Sequence, residues 1–574
     1  MRVALVLLLF ALLMNLQAQD KRADVIFVNG DVYTSAANTP RVQAIAVRDG
    51  RILAVGSNDA VRKLKSGRTE VIDLAGRFVM PGFNDAHLHL AGGGFEKLNV
   101  NLVGTKSLEE MKQRIAERAR TTADGEWVQG RGWDHTKWTE QKLPTRQDLD
   151  AVSGTRPAFF VRVDGHIGVA NSAALKAAGV TRETKDPEGG QIDRDAEGEP
   201  TGILRESAME LVRSKIPLPT PSQRRRAIEL ALQDAAQNGV TSVQDNSEWE
   251  DYLVYEELAR EGKLTLRITE WLPFEAPLKT LEQHRARRPQ TDSLLHTGLL
   301  KAFMDGSLGS RTAALLQPYS DDPKNLGLPQ IEQAELNQMA RERVASRFQF
   351  GFHAIGDKAA QMALDAFSEA QRYAREKNIQ PLATDGFRHR VEHAQVIAPE
   401  QFARFRELGV IASVQPNHLL TDMNWAGERV GAARAKHSYP WKEFLNNGVR
   451  LAFGTDYPVE PITPFRGVYA AVTRKSEDGA KEYFPEQKLT IHEAIAAYTT
   501  GAAYTEFAES EKGSLAPGML ADFVVLDRDI TKVEPGEILG TRVLRTVVGG
   551  KTVYQASETG EGEPQSQPKP STYW

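Results

Sequence analysis

The stretch VMPGFNDAHLHL, Val79 to Leu90, sets two histidines one residue apart behind an apolar run. Residues i and i+2 of a strand share a face, so His87 and His89 can both turn to the same side of one strand. Taken alone, the pair says little. A histidine in an apolar strand is more often a packed, hydrogen-bonded core residue than a ligand.

Seven more segments of strand character follow: GVTSVQDN from 239, LTLRITEWL from 264, GLLKAFMDG from 298, FQFGFHAIG from 348, FRHRVEHAQ from 387, GVIASVQPNH from 409 and GVRLAFGTDYP from 448. Helix-like stretches such as PSQRRRAIELALQDAAQNG and AELNQMARERVASRFQ alternate with them. Such alternation predicts a parallel sheet covered by helices. With the first segment, it predicts a (β/α)8 barrel of α/β class.

A pattern emerges at the strand ends. The first candidate strand ends in His87 and His89, the fourth carries Lys301 with Asp305 beyond it, the fifth ends in His353, the sixth in His393 and the eighth in Asp456. Barrel enzymes set their chemistry at the C-terminal ends of the strands, so these side chains would converge on one axis. Imidazole and carboxylate suit zinc and related divalent ions, and such an ion makes hydroxide accessible near neutral pH. Asp456 could bind metal or take a proton from water; its bland alternative is a helix cap. Lys301 is the awkward member, because an ammonium repels a metal. A neutral desolvated amine and a covalently modified lysine both answer that, and the residues alone do not choose. Unrelated core residues have no reason to recur at strand C-termini, so the joint pattern outweighs each bland reading.

Composition agrees with an ordinary globular protein. The chain has 574 residues, with 71 basic and 76 acidic side chains for a net charge of -5, which gives no reason to expect a nucleic-acid partner. It has no cysteine, so no disulfide or thiolate ligand is available. The start, MRVALVLLLFALLMNLQAQDKR, has the layout of a cleavable secretory leader with cleavage after Ala18. Its apolar run is short for a membrane span, so the mature protein is expected to be exported, periplasmic or secreted, without a membrane anchor.

Short β-rich pieces with Asn-Gly and Asp-Gly turns flank the barrel pattern: ADVIFVNGDVYT, AIAVRDGRILAVG and EVIDLAGRFVMPGF on one side, GSLAPGMLADFVVLDRD and TRVLRTVVGGKTVYQ on the other. They predict a small β-sandwich built from both ends of the chain. About 150 residues separate Leu90 from Gly239, far beyond one loop, and predict an inserted subdomain over the barrel mouth. The expected organisation is a leader over 1–18, the sandwich over 19–78 and 513–556, the barrel over 79–94 and 236–512, the insertion over 95–235 and a disordered, Pro-rich tail over 557–574.

These motifs resemble the metal-dependent amidohydrolase superfamily, in the branch of YtcJ-like proteins and N-substituted formamide deformylases. VMPGFNDAHLHL, LLKAFMDGSLGSRTAAL, FHAIGD, VEHAQ and FGTDYPV are similar to its first, fourth, fifth, sixth and eighth strand motifs; GWD, DGH and TGILRESA resemble stretches of its insertion. The resemblance implies one or two divalent ions, zinc by type. His87, His89 and Asp456 would hold one, His353 and His393 the other, with Lys301 bridging as a carbamate. It also implies hydrolysis of amide-type C–N bonds (N-acyl, N-formyl or cyclic) in a small-molecule substrate by a metal-activated hydroxide, with Asp456 as base then acid. Ester or phosphotriester hydrolysis on the same site, or a non-catalytic metal- and ligand-binding role, is the alternative. His166, His418, Trp133 and Asp305 are candidate substrate contacts, with packing roles as their bland readings. Asp134 and Ser307 could shape the pocket. A homodimer is the base-rate expectation.

Overall fold

The computed structural model describes residues 22–36, 38–163 and 165–557. The expected leader and all but the first residue of the expected tail lie outside them. Among the described residues no helix is long and apolar enough to cross a membrane.

Eight parallel strands form the central sheet: β1 (Phe83–Leu88), β2 (Val240–Asp245), β3 (Arg267–Pro273), β4 (Leu295–Phe303), β5 (Phe350–Ala354), β6 (Arg390–His393), β7 (Ile411–Val414) and β8 (Leu451–Phe453). Each pairs with its neighbour in sequence order, which is the predicted (β/α)8 barrel. The seam between β8 and β1 closes beyond the strands. Asp456 N donates to His87 O at 2.8 Å, and His89 N donates to Tyr457 O at 2.7 Å. The closure needs Gly454, because a Cβ there would lie 2.6 Å from His87 N and 2.8 Å from His87 O. Asp85 ties the same seam, accepting from Thr455 N at 2.9 Å and Thr455 Oγ1 at 2.5 Å.

Covering helices carry their own start signals. Thr220 and Gln223 make a reciprocal capping box at the head of Pro221–Gln237. That helix buries Ile228, Ala231, Leu232 and Ala235 in the barrel core. Glu506 plugs the barrel from below, accepting from Asn84 Nδ2 at 2.7 Å and Thr269 Oγ1 at 2.5 Å, and pairs with Lys512 Nζ at 2.8 Å.

Two further sheets come from the chain ends. One runs Arg51–Gly56, Ala44–Arg48, Val25–Val28, Glu70–Asp73. The other runs Lys551–Gln555, Val543–Val548, Phe523–Leu526, Phe78–Pro81, Asp31–Tyr33, Arg41–Val42. Their facing side chains share one apolar cluster, where the rings of Phe27 and Phe523 meet edge-on at 4.8 Å. The quoted VMPGF segment belongs to this layer, since Val79 pairs with Val525 and Met80 with Val524. The sequence pattern predicts a barrel starting at Val79, but the sheets change over at Gly82; apolar residues on both sides hide the change from periodicity.

Between β1 and β2 lies a six-stranded mixed sheet: Gly190–Arg194, Pro200–Glu206, Ile167–Ala170, Ala158–Arg162, Val128–Trp133, Val100–Asn101. It has its own cores, one around Trp133, Trp138, Ile115 and Phe160 and another around Phe159, Leu175 and Leu204.

Candidate metal centre

The barrel brings the strand-end residues together. His87, His89, Lys301, His353, His393 and Asp456 all line one cavity of about 140 Å³. His87, His393 and Asp456 each offer a ligand atom, all within 4.8 Å of one another. His89 Nε2 lies 3.3 Å from Asp456 Oδ1, and Lys301 Nζ lies 3.2 Å from His87 Nε2. The His353 and His393 rings meet with centroids 4.3 Å apart.

Regular strand geometry does not achieve this alone. On β6, Arg390 and Glu392 both reach into the barrel, donating to or accepting from Gln244, Ser413 and His87. Alternation would then turn His393 outward. His393 instead takes φ 71°, in the left-handed region, and lines the cavity. Asp456 does the same past β8, with φ 58°. Backbone of this kind costs about 1–3 kcal/mol per residue and collects at functional sites. His89 lies just past the end of β1, at the head of α1 (Leu90–Leu98), so the two histidines of the opening motif sit in different local structure.

Hydrogen bonds at the far ring nitrogens orient the imidazoles. His87 Nδ1 meets Glu392 Oε2 at 2.8 Å, His89 Nδ1 meets Asn246 O at 2.8 Å, and His353 Nε2 meets Gly306 O at 3.0 Å. With a proton on each of those nitrogens, the other ring nitrogen is left as an acceptor. Glu392 is in turn fixed by Arg390 Nε at 2.7 Å, and both side chains are fully buried. Sequence reasoning missed this pair. The signal was the acid directly before His393 in VEHAQ, but nothing in the linear pattern ties it to His87.

The electrostatics favour neutral imidazoles around one charged carboxylate. Burial, then the Lys301 cation, pushes His87 down to about 4 and His353 down to about 3. Burial and then His353 hold His393 well below the usual histidine range. Burial would raise Asp456, but His87, His418 and His89 outweigh it and keep the carboxylate well below its ordinary range. Because His87 is itself neutral at pH 7, the cations opposing Asp456 there are His418 and Lys301. His418 Nε2 lies 3.3 Å from Asp456 Oδ2. Burial would lower His418, yet Asp456, Asp422 and Glu460 raise it to about 9.

The weaker sequence candidates separate. His418 and Ser307 line the cavity. His166 does not; it sits at the surface of the inserted sheet, 3.0 Å from Glu206. Nor does Trp133, which is fully buried in that sheet's core and donates its indole N–H to Phe160 O at 3.1 Å. Asp305 stays behind the wall. Its carboxylate accepts from the backbone of Ala314, Ile355 and Gly356 at 2.8–3.0 Å, so it shapes the loop rather than facing a ligand. Asp134 caps a short turn and pairs with Arg162 at 2.9 Å. Among the described residues no lining residue comes from the insertion: the barrel strands and the loops after them supply all sixteen.

Chemically, this donor set fits a divalent cation. Asp456 Oδ1 is buried and, among the described residues, accepts no hydrogen bond. An ionised carboxylate oxygen left bare 3.6 Å from the neutral His87 ring would be costly unless a cation met it. His87, His89, His353, His393 and Asp456 could hold such an ion.

An eight-stranded parallel barrel with this set at its C-terminal mouth defines a metal-dependent hydrolase. The comparisons agree. The sequence matches the amidohydrolase family over residues 70–554, and the chain belongs to that family. It is 35% identical to Protein LONG AFTER FAR-RED 3 of Arabidopsis thaliana, over 93% of this chain and 92% of that protein. To YtcJ of Bacillus subtilis it is 33% identical over 93% and 99%. To the N-substituted formamide deformylase of Arthrobacter pascens it is 29% identical over 93% and 98%. The crystal structure of an uncharacterized metal-dependent hydrolase from Pyrococcus horikoshii OT3 superposes with a TM-score of 0.73 at 34% identity, covering 89% of this chain and 99% of that one.

Proposed function

We propose that this hydrolase cleaves amide-type C–N bonds, N-acyl, N-formyl or cyclic, in small molecules. The observation that carries the reading is Asp456: ionised, buried, with one oxygen bare and three histidines within reach. The name of the deformylase relative points to the same bond type.

His87, His89 and Asp456 would hold one ion of zinc type, and His353 and His393 a second. Such ions would polarise the substrate carbonyl and bring hydroxide within reach near neutral pH. Lys301 would bridge as a carbamate. Burial pushes its amine from 10.5 down to about 8, which raises the share of neutral amine able to add to carbon dioxide. The adduct, after loss of a proton, replaces a cation 3.2 Å from His87 Nε2 with an anionic oxygen. Asp456 accepts the proton of the attacking water and passes it to the leaving nitrogen, whose bond to carbon breaks as the new C–O bond becomes an acid. Beside Asp456, the His418 cation balances charge. Phe303, Leu308, Ile355 and Val459 make the apolar part of the wall and keep bulk water from the substrate.

The test is to strip metal with a chelator, restore zinc with bicarbonate, and screen N-formyl, N-acyl and cyclic amides beside esters and phosphotriesters. Amide cleavage that needs metal and falls by about 10³-fold or more in Asp456→Asn is the expected outcome. Cleavage confined to esters or phosphotriesters, or tight ligand binding without turnover, would overturn it.

A further inference from the structure

The cavity has a second polar corner that the proton transfer does not use. α2 (Pro416–Asp422) presents His418 and Asp422 to it. The two are four residues apart, and so on one helix face. His418 turns Nε2 to Asp456. Asp422 is committed differently. Its Oδ2 accepts from Tyr439 Oη at 2.6 Å and from Gln395 Nε2 at 2.9 Å, and Gln395 also contacts the Tyr439 hydroxyl. Those bonds fix the carboxylate's orientation. Among the described residues no donor reaches Oδ1, although Asp422 is only 7% exposed.

Oδ1 is not sealed off; it stays accessible from the cavity that Asp422 lines. Glu460, another acid near His418, is already satisfied: Arg466 Nη1 lies 2.6 Å from Oε2, and Thr421 Oγ1 donates to Oε1 at 2.5 Å. Trp425 lines the cavity three residues beyond Asp422. A fixed carboxylate with a bare oxygen beside an indole is the chemistry that selects a protonated nitrogen, through a charge-assisted hydrogen bond and a cation–π contact.

We propose that Asp422 and Trp425 form a recognition corner for an ammonium group of the substrate, about one helical turn (~5 Å) along α2 from His418. The proposal rests on the amide-hydrolase reading for its reaction, but the corner itself is a binding site. The substrate is then an amide whose apolar body meets Phe303, Leu308 and Val459 and whose far end is a primary amine in its charged form. A neutral amide or hydroxyl could also donate to Oδ1, but a protonated nitrogen makes the stronger, charge-assisted bond.

Two measurements on the full chain test this. Formamides and acetamides of four- to six-carbon amines are compared in matched pairs, one ending in an ammonium and the other in a hydroxyl or methyl. The ratio of kcat/KM within a pair is the readout, because general damage to the site lowers both members alike. The wild type is expected to favour the ammonium member by about tenfold or more, D422N to bring the ratio near one, and Trp425→Leu to lower it part of the way. Separately, calorimetry follows binding of hexylammonium and of hexanol to wild type and D422N. Hexylammonium bound by wild type and weakened about tenfold in D422N, with no amide cleaved, would support the corner while sinking the amide-hydrolase reading. Amides cleaved with a wild-type ratio near one would overturn the corner alone. No selective binding of hexylammonium and no cleavage would overturn both.

Discussion

Glu392 Oε2 lies 2.8 Å from His87 Nδ1, and both side chains are sealed from solvent. The contact makes Glu392 a positioning residue: it keeps the proton on Nδ1 and so leaves Nε2 free toward Asp456, 3.6 Å away. Arg390 makes the arrangement rigid, spanning Glu392, Ala86 O and Ser413 Oγ at 2.7–2.9 Å.

Glu392→Gln is therefore expected to weaken metal binding by about 10- to 100-fold. Loss of the buried partner of Arg390 adds about 3–5 kcal/mol of destabilisation. Metal titration into chelator-treated protein, with a parallel denaturant melt, measures both. Unchanged metal affinity would remove Glu392 from any positioning role.

Lys301 makes a prediction with a definite sign. Burial pushes its pKa down from 10.5 to about 8; Glu392 and Asp456 oppose the shift and Arg390 adds to it. A lysine whose folded pKa lies below its unfolded value costs stability. The cost is full below about pH 8 and fades as pH rises toward 10.5. Its size is about 3 kcal/mol. Metal-free Lys301→Met should then melt above metal-free wild type at pH 7, with the gap narrowing by pH 9.5, while metal-dependent turnover is lost. A lower melting temperature for the variant at pH 7 would contradict this account.

Gly454 has no room for a methyl group against the His87 backbone or Asp85 Oδ1, 2.9 Å from the Cβ position. Gly454→Ala should cost about 1–3 kcal/mol and, because the displaced strand carries His87, should lower kcat more than KM. A variant with wild-type melting temperature and turnover would show that the seam yields without disturbing the centre.

Trp133 and His166 looked alike from sequence and should behave oppositely. Trp133→Ala empties a fully buried site and should destabilise the protein by about 3–5 kcal/mol. His166→Ala removes a solvent-exposed side chain that pairs with the equally exposed Glu206, and should leave stability within about 0.5 kcal/mol and turnover near wild type. A large turnover loss in His166→Ala would mean that the insertion reaches the substrate after all.

How much of this was legible beforehand follows a physical line. Strands of apolar residues bounded by turns, alternating with amphipathic helices, announce the barrel through local periodicity, and the chemical types at the strand ends announce a metal site. Those signals need only neighbours in the chain. His393 and Asp456 were found because imidazole and carboxylate are conspicuous at a strand end. That both require left-handed backbone to enter the cavity was not visible, since local pattern predicts an alternation that they break.

The sequence by itself determined the layers, the strand count and which residue types collect at the mouth. Only the tertiary structure decided that Glu392 serves His87 across 305 residues, that among the described residues the donors to the Asp422 carboxylate all meet Oδ2, and that Trp133 and His166 belong to the insertion, outside the cavity lining. The reason is that a side chain's partner at such separations depends on barrel closure and register. These are collective properties of all eight strands, and no short stretch of chain encodes them.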